Sequence, residues 1–246
     1  MQDVTPPRNP LGEALRAGQL ALAMIIKEVR NANIAEVAKA AGYDAIYVDL
    51  EYGVIPEAAA GPMLLGARKV GVTPLVRIPS ADPDCARRCL EAGAAGIVVP
   101  KIGSLADVRA GAAACAAHAA GGEPAILITM LESPEALELA EPIAAEPGVD
   151  VLHIGTTDLS AALGIPNRFT DPRIEAAYAR VVAAARRHGR AAGAGGLGSD
   201  LEMTRRVIGM GVRFVTGGNE WAFMTAAARE RSGLLRSVPL GGVPGA

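Results

Sequence analysis

Short apolar runs alternate along this chain with longer segments whose apolar residues recur at helical spacing. The runs that read as strands are 20–26 (LALAMII), 45–51 (AIYVDLE), 73–79 (TPLVRIP), 96–102 (GIVVPKI), 125–131 (AILITML), 149–155 (VDVLHIG), 190–196 (RAAGAGG) and 213–219 (RFVTGGN). Between them NIAEVAKAAG, EAAAGPMLLGARKVG, DPDCARRCLEAG and RIEAAYARVVAAARRHG carry helical spacing and end in glycine, the usual helix terminator. The stretches AAGYDAIYV, EAGAAGIVV and GMGVRFVT place a glycine turn just before a new strand. That is ordinary helix-to-strand turn chemistry, and no GxGxxG or GxxxxGK[ST] phosphate loop is present. Eight such units in 246 residues predict an α/β chain folded as a single (β/α)8 TIM barrel over 1–246, with a doubly wound open sheet as the alternative.

Composition refines this picture. Half of the residues are hydrophobic but only 3% are aromatic, so the core must rest on Ala, Val, Leu and Ile. A net charge of −2 without a basic run argues against nucleic acid or an anionic membrane as partner. No apolar stretch reaches the roughly 18 residues of a membrane-spanning helix. Cys85, Cys89 and Cys115 form no CxxC or Cys/His cluster, and the polar start MQDVTPPRNP does not read as a signal peptide. A cytoplasmic protein with reduced thiols is expected.

In such a barrel the catalytic groups belong at the C-terminal ends of the strands. Those ends carry Asp49, Glu51 and Tyr52 after the second strand, Arg77 on the third and Lys101 on the fourth. Glu132 follows the fifth and GTTDLS, with Asp158, the sixth. Glu132 and Asp158 stand 26 residues apart, about one βα repeat, which places them on neighbouring strand ends. Adjacent carboxylates repel unless they share a proton or a divalent cation. Hard oxygen ligands without Cys or His favour Mg²⁺ or Mn²⁺. Arg77 supplies a fixed cation for an oxyanion, and the Gly155, Thr156, Thr157 turn offers N–H groups at a helix start for a carboxylate. Together these describe a binder of a small 2-oxo acid that stabilises an enolate, as carbon–carbon cleavage, condensation or decarboxylation requires.

The segments YDAIYVDLEYG, TPLVRIPS, ITMLESPEAL and LHIGTTDLSAALG resemble the metal-dependent 2-oxo acid aldolases of the hydroxy-oxo-heptanedioate aldolase type. Their broader superfamily includes the citrate lyase β subunit and the malyl-CoA lyases. The resemblance runs from about residue 10 to 235, and its most specific part is the LES and GTTDLS pair. It implies Glu132 and Asp158 as metal ligands, and Arg77 as the group binding the pyruvyl carbonyl and stabilising the enolate. It further implies that Gly155–Thr157 holds the substrate carboxylate. The implied activity cleaves a 4-hydroxy-2-oxo acid to pyruvate and an aldehyde, with oxaloacetate decarboxylation as a companion reaction. The implied assembly is a homo-oligomer, a hexamer or trimer of dimers exchanging the last helix, EWAFMTAAARERSGLL.

The chain departs from the family at three places. Tyr52 stands where those aldolases carry the histidine taken as their base, and Met130 stands near their glutamine. An alanine-rich helix, DVRAGAAACAAHAAGG, replaces a Pro- and Arg-containing loop. A tyrosine, with an ordinary pKa of about 10, is a poor base at neutral pH. The metal half of the site is therefore intact while the proton-transfer half is altered. This leaves open an acyl-CoA lyase, for which a CoA-binding cationic patch is missing, and a weakened binder of small carboxylates.

Plainer roles stand beside these. Glu132 and Asp158 suit helix starts, Arg77 could be a salt-bridge partner, and Asp49 and Glu51 could simply bond neighbouring loops. Lys101 at a strand end raises a Schiff-base mechanism, which leaves the carboxylate pair without a role. His153 reads as an interior histidine, and His118 and His188 as structural helix residues. The glycines after the seventh and eighth strands are a weak sign of phosphate binding.

Overall fold

The computed structural model describes residues 9–118, 124–198 and 200–239. Its strands are β1 (Ala21–Ile26), β2 (Ala45–Asp49), β3 (Thr73–Arg77), β4 (Gly96–Val99), β5 (Ile126–Leu131), β6 (Val151–Gly155), β7 (Ala191–Gly195) and β8 (Val212–Asn219). Each pairs in parallel with the next and β8 closes onto β1, so the eight predicted strands form the predicted barrel rather than an open sheet. The helices are α1 (Pro10–Arg16), α2 (Ile34–Ala40), α3 (Glu57–Val70), α4 (Pro83–Glu91), α5 (Leu105–Ala117), α6 (Pro134–Glu138), α7 (Ala140–Ala145), α8 (Thr156–Ala162), α9 (Pro172–Arg187), α10 (Leu201–Met210) and α11 (Glu220–Arg236).

The two-residue period of a strand sends alternate side chains into the barrel and out to the helices. Ala45, Tyr47, Leu75, Val98, Ile128, Met130 and Phe214 fill the interior, while Ile46, Val48, Val76, Ile97 and Leu127 join the larger core beneath the helices. Both faces are thus buried, which is why the strands read as apolar runs rather than alternating ones. Register then fixes which polar residues meet. Tyr47 stands beside Leu75 and Asp49 beside Arg77, Met130 beside His153, and Gly155 beside Gly195. Several predicted strands run past the observed ends, over 50–51, 78–79 and 100–102, where the chain turns into loops.

Helix α1 precedes the repeat and lay outside the predicted elements. It covers the N-terminal face of the barrel and buries Leu11 completely. The Leu11 N–H donates to Thr73 Oγ1 at 3.1 Å, and that hydroxyl donates to Asn9 Oδ1 at 2.9 Å. Asn9 also caps α1 by accepting from the Gly12 N–H. Helix α4 turns Cys85, Ala86, Cys89 and Leu90 inward, and all three cysteines are free and buried.

His118 and His188, expected within helices, are instead the C-cap residues of α5 and α9. The alanine-rich helix ends at Ala117, and residues 119–122 of that stretch, like 1–8 of the N-terminal one, lie outside the described residues. In α11 only Glu220 is buried, and Trp221, Phe223, Met224, Leu234 and Leu235 are exposed. Among the described residues no helix is long and apolar enough to cross a membrane.

Interior space is tight at Gly96, where an added Cβ would stand 2.7 Å from Leu75 Cδ2 and 2.8 Å from the Ile126 carbonyl oxygen. The Ile126 carbonyl is strand backbone and cannot retreat without moving β5. Gly96→Ala is expected to lower the unfolding free energy in urea by about 1–3 kcal/mol, the usual cost of overpacking.

Candidate active site

The C-terminal end of the barrel opens into a cleft of about 270 Å³. Lys27, Tyr52, Arg77, Met130, His153, Gly155, Thr157, Asp158 and Gly196 are among its walls. A larger cavity, about 600 Å³, lies at the opposite, N-terminal end, away from every sequence-predicted site residue. The chemistry is concentrated in the smaller one.

Arg77 organises one side. Its Nε and Nη2 donate to Asp49 Oδ1 and Oδ2 at 3.0 and 2.6 Å, a bidentate pair between adjacent strand ends. Nη1 lies 3.1 Å from Glu51 Oε2 and 3.9 Å from the Met130 sulfur. Burial disfavours the Arg77 charge, but the bonds and charges of Asp49 and Glu51 outweigh it and hold the pKa above the ordinary arginine value. Burial likewise pushes Asp49 up, and Arg77 more than offsets this, so its carboxyl lies below the usual range. Asp49 Oδ1 also accepts the Glu51 and Tyr52 N–H groups at 3.0 and 3.1 Å, which folds the loop after β2 around the same carboxylate. Neither Asp49 nor Glu51 lines the cleft. Asp49 is fully buried, and Glu51 is an ion-pair bridge from Arg77 to Lys101, whose Nζ is 2.8 Å from Oε1.

Tyr52 is half exposed at the mouth, its ring flanked by cations. Arg77, Lys101 and Lys27 lie 4.9, 5.1 and 5.8 Å from the ring centroid. Lys101 has a left-handed backbone, φ 48°, a conformation that residues other than glycine rarely adopt. This aims its N–H at Glu132 Oε2, 2.8 Å away. Its ion pair with Glu51 raises the ammonium pKa, the opposite of what a Schiff-base lysine needs.

Glu132 is the least satisfied group of the site. It is 6% exposed, and Oε1 has no hydrogen-bond partner. Burial, with the Asp158 and Glu51 charges adding to it, pushes its pKa up to about 7 despite the Lys101 N–H. It reaches this position because Gly155 has no side chain, since a Cβ there would stand 2.5 Å from Oε1. Asp158 sits in the first turn of α8, half buried, and accepts no hydrogen bond among the described residues.

At the same turn the Thr156 hydroxyl pairs with the buried Tyr178 hydroxyl at 2.7 Å, and that of Thr157 donates to the Gly196 carbonyl at 2.8 Å. What α8 has left to offer a ligand is its backbone N–H groups. A Cβ on Gly196, where φ is +73°, would stand 2.9 Å from the Thr157 nitrogen; glycine keeps that approach open. His153 lies on the cleft floor, 1% exposed, with Nδ1 unpaired. Burial, helped by the Arg77 charge, lowers its pKa to about 3 and keeps the ring neutral.

The structure thus brings Arg77, Tyr52, Gly155, Thr157 and Asp158 to one cleft, sets Glu132 directly against Gly155 of its wall, and leaves Asp49 and Glu51 behind it. Sequence reasoning passed over Lys27, although a lysine directly after an apolar run is the signal that singled out Lys101. It also passed over Glu220, which is buried at the start of α11. Its Oε1 accepts the Lys27, Glu28 and Val29 N–H groups at 2.8, 2.6 and 3.0 Å, an arrangement no local pattern announces.

Comparison with known proteins bears on the family and the enzyme class. The family described as HpcH/HpaI aldolase/citrate lyase matches residues 23–227. The 4-hydroxy-4-methyl-2-oxoglutarate aldolase of Hapsidospora irregularis is 30% identical, over 96% of this chain and 98% of its own. A hydroxypyruvate/pyruvate aldolase of Paraburkholderia phytofirmans is 30% identical over 82% and 88%. Among solved structures, the HpcH/HpaI aldolase of Desulfitobacterium hafniense superposes with a TM-score of 0.84 at 23% identity, covering 96% of this chain and 100% of that one. The expected carbon–carbon lyase class is borne out by these relatives, and the chain belongs to the HpcH/HpaI aldolase/citrate lyase family.

Proposed function

We propose that this chain is a divalent-metal-dependent aldolase that cleaves a 4-hydroxy-2-oxo acid to pyruvate and an aldehyde or ketone. The observation that carries the reading is Glu132, buried, unpartnered at Oε1 and beside Asp158. Two hard carboxylates without a protein cation between them fit Mg²⁺ or Mn²⁺. No cluster of three or more His, Cys, Asp or Glu exists among the described residues, so most of the coordination is left to substrate and water. When bound, the cation polarises the 2-oxo carbonyl and neutralises the two acids.

The remaining work falls to this chain's own groups. The N–H groups at Thr156 and Thr157 receive the substrate carboxylate in the space that Gly196 leaves. Arg77, locked in place by Asp49, faces the carbonyl oxygen as its charge develops. The C3–C4 bond then breaks, its electron pair becoming the pyruvate enolate while C4 becomes a carbonyl carbon and its hydroxyl proton departs. C3 afterwards takes up a proton. Loss of CO₂ from oxaloacetate reaches the same enolate without any C4 hydroxyl, and suits a site with tyrosine in place of the family histidine. The free thiols support a cytoplasmic setting.

Metal-dependent exchange of pyruvate methyl protons into deuterated water tests this reading. Chelation is expected to abolish exchange, Mg²⁺ or Mn²⁺ to restore it, and Glu132→Gln to lower it by at least about a hundredfold. Because Glu132 titrates near 7 in the metal-free protein, protons compete with the cation below that pH. Apparent metal affinity should be constant above about pH 8 and fall by about tenfold per unit below 7. Exchange that survives both chelation and Glu132→Gln would sink the metal assignment.

Tyr52 is assigned to holding Arg77, Lys27 and Lys101 by its ring face. Tyr52→Phe should keep exchange within about threefold of wild type, whereas Tyr52→Ala should lose roughly tenfold. A large loss in Tyr52→Phe would instead show that the hydroxyl carries a proton.

Assembly belongs to the same proposal. Trp221, Phe223, Met224, Leu234 and Leu235 on α11 suit a homo-oligomer, a hexamer or trimer of dimers, with this helix exchanged between subunits. Light scattering should find a multimer, and Trp221→Glu with Leu235→Glu should shift it towards monomer; a monomeric wild type would refute this.

A further inference from the structure

Three cations surround the Tyr52 ring at the mouth of the cleft, and they are unequally occupied. Arg77 is bound by Asp49 in bidentate fashion and pairs with Glu51. The Lys101 ammonium rests on Glu51 at 2.8 Å. Of the three, Lys27 alone has no carboxylate within hydrogen-bonding distance among the described residues: its ion pair with Asp49 Oδ2 is long, 3.8 Å, and that oxygen already takes Arg77 Nη2 at 2.6 Å. It lines the cleft, and its side chain is 30% exposed.

Its backbone is fixed from both sides. Glu220 Oε1 accepts the Lys27 N–H at 2.8 Å, and the Val54 N–H donates to the Lys27 carbonyl at 2.9 Å. Glu220 is 2% exposed and spends that oxygen on three successive N–H groups, so the loop after β1 is built rather than incidental. The ammonium is further steadied over the Tyr52 ring. A lysine with a pinned backbone, half-open to a ligand cleft and short of a counter-ion, is a receptor for an anionic group.

We propose that Lys27 is a specificity-determining residue, the group that receives a second, distal carboxylate of the substrate and selects dicarboxylates over monocarboxylates. This rests on the reading of the cleft as a 2-oxo acid site. The first carboxylate lies at the start of α8 after β6, and Lys27 follows β1, three strand positions away round the barrel. The carbon–carbon bond to be broken then lies between two anchored ends. The fragment released beside pyruvate is itself an oxo acid.

The test compares 4-hydroxy-2-oxoglutarate with 4-hydroxy-2-oxopentanoate, which replaces the distal carboxylate by a methyl group. The wild-type enzyme with Mg²⁺ or Mn²⁺ should favour the dicarboxylate in kcat/KM by roughly 10- to 150-fold, the range for a hydrogen bond to a charged group. Lys27→Met should bring the ratio to within about threefold of one, and Lys27→Arg should restore part of it, with thermal unfolding confirming that each variant is folded. Calorimetric binding of 2-oxoglutarate against 2-oxopentanoate gives a second readout. If neither hydroxy acid is turned over but binding selectivity exists and is lost in Lys27→Met, the lyase reading falls and the carboxylate subsite stands. A wild type without selectivity in turnover or binding, or a selectivity that Lys27→Met leaves unmoved, overturns the subsite.

Discussion

The buried pair between Arg77 and Asp49 is the constraint on which the rest of the site depends. Taking a guanidinium and a carboxylate out of water costs several kcal/mol per ion unless geometry and further hydrogen bonds repay it. Parallel register between β2 and β3 sets the two residues side by side, and both Asp49 oxygens are used. The same carboxylate gathers the N–H groups of Glu51 and Tyr52, so the loop after β2 takes its shape from the ion pair. Glu51 then extends the pairing to Lys101. The consequence lies across the cleft. The positive charge of Arg77 and Lys101 is spent on Asp49 and Glu51, and among the described residues no cation pairs with Glu132 or Asp158. Burial, with the Asp158 and Glu51 charges adding to it, pushes the Glu132 pKa up to about 7, and an added divalent ion is the simplest resolution.

Packing keeps these charges at one end. Below them the barrel is filled by Tyr47, Leu75, Val98, Ile128, Met130 and Phe214, and α1 covers the N-terminal face with Leu11. Small residues sit where large ones need room. Gly193 on β7 stands beside His153, whose Nδ1 would lie 2.5 Å from a Cβ at that position. The aromatic ring of Phe214 meets His153 edge-on from β8, with centroids 5.5 Å apart. The floor of the cleft is therefore a rigid apolar layer, and a polar reaction zone lies directly above it. This low-dielectric support is what keeps His153 neutral and makes the charges above it strong.

The barrel was legible because parallel strands buried on both faces leave apolar runs, and because glycine marks the helix ends between them. Glu132 and Asp158 were legible for a related reason. Acids at strand ends are conspicuous after runs such as AILITML and VDVLHIG. Helix α1 escaped because seven residues outside the repeat carry little periodic signal. Asp49 and Glu51 stood out as candidate site residues, but composition could not tell a residue lining the cleft from one standing behind Arg77; that distinction is made by register and by which oxygens are already bonded. Glu220 was invisible for a deeper reason. Its partners lie 191 to 193 residues away in sequence and are backbone groups, which leave no trace in side-chain pattern.

Position 52 shows how the charge network redefines a residue. From the family resemblance, a tyrosine in place of histidine reads as a lost base. In the folded chain its N–H belongs to Asp49 and its ring lies within 5.8 Å of three cationic side chains. An imidazole there would be one more group able to carry positive charge among three cations, which repulsion would hold in its neutral form. A phenol ring instead offers its negative face to all three without adding charge. The substitution is thus matched to the lysines on either side of it. Lys27 and Lys101 are compatible with a crowded mouth because the Tyr52 ring offers its face to both, at 5.8 and 5.1 Å.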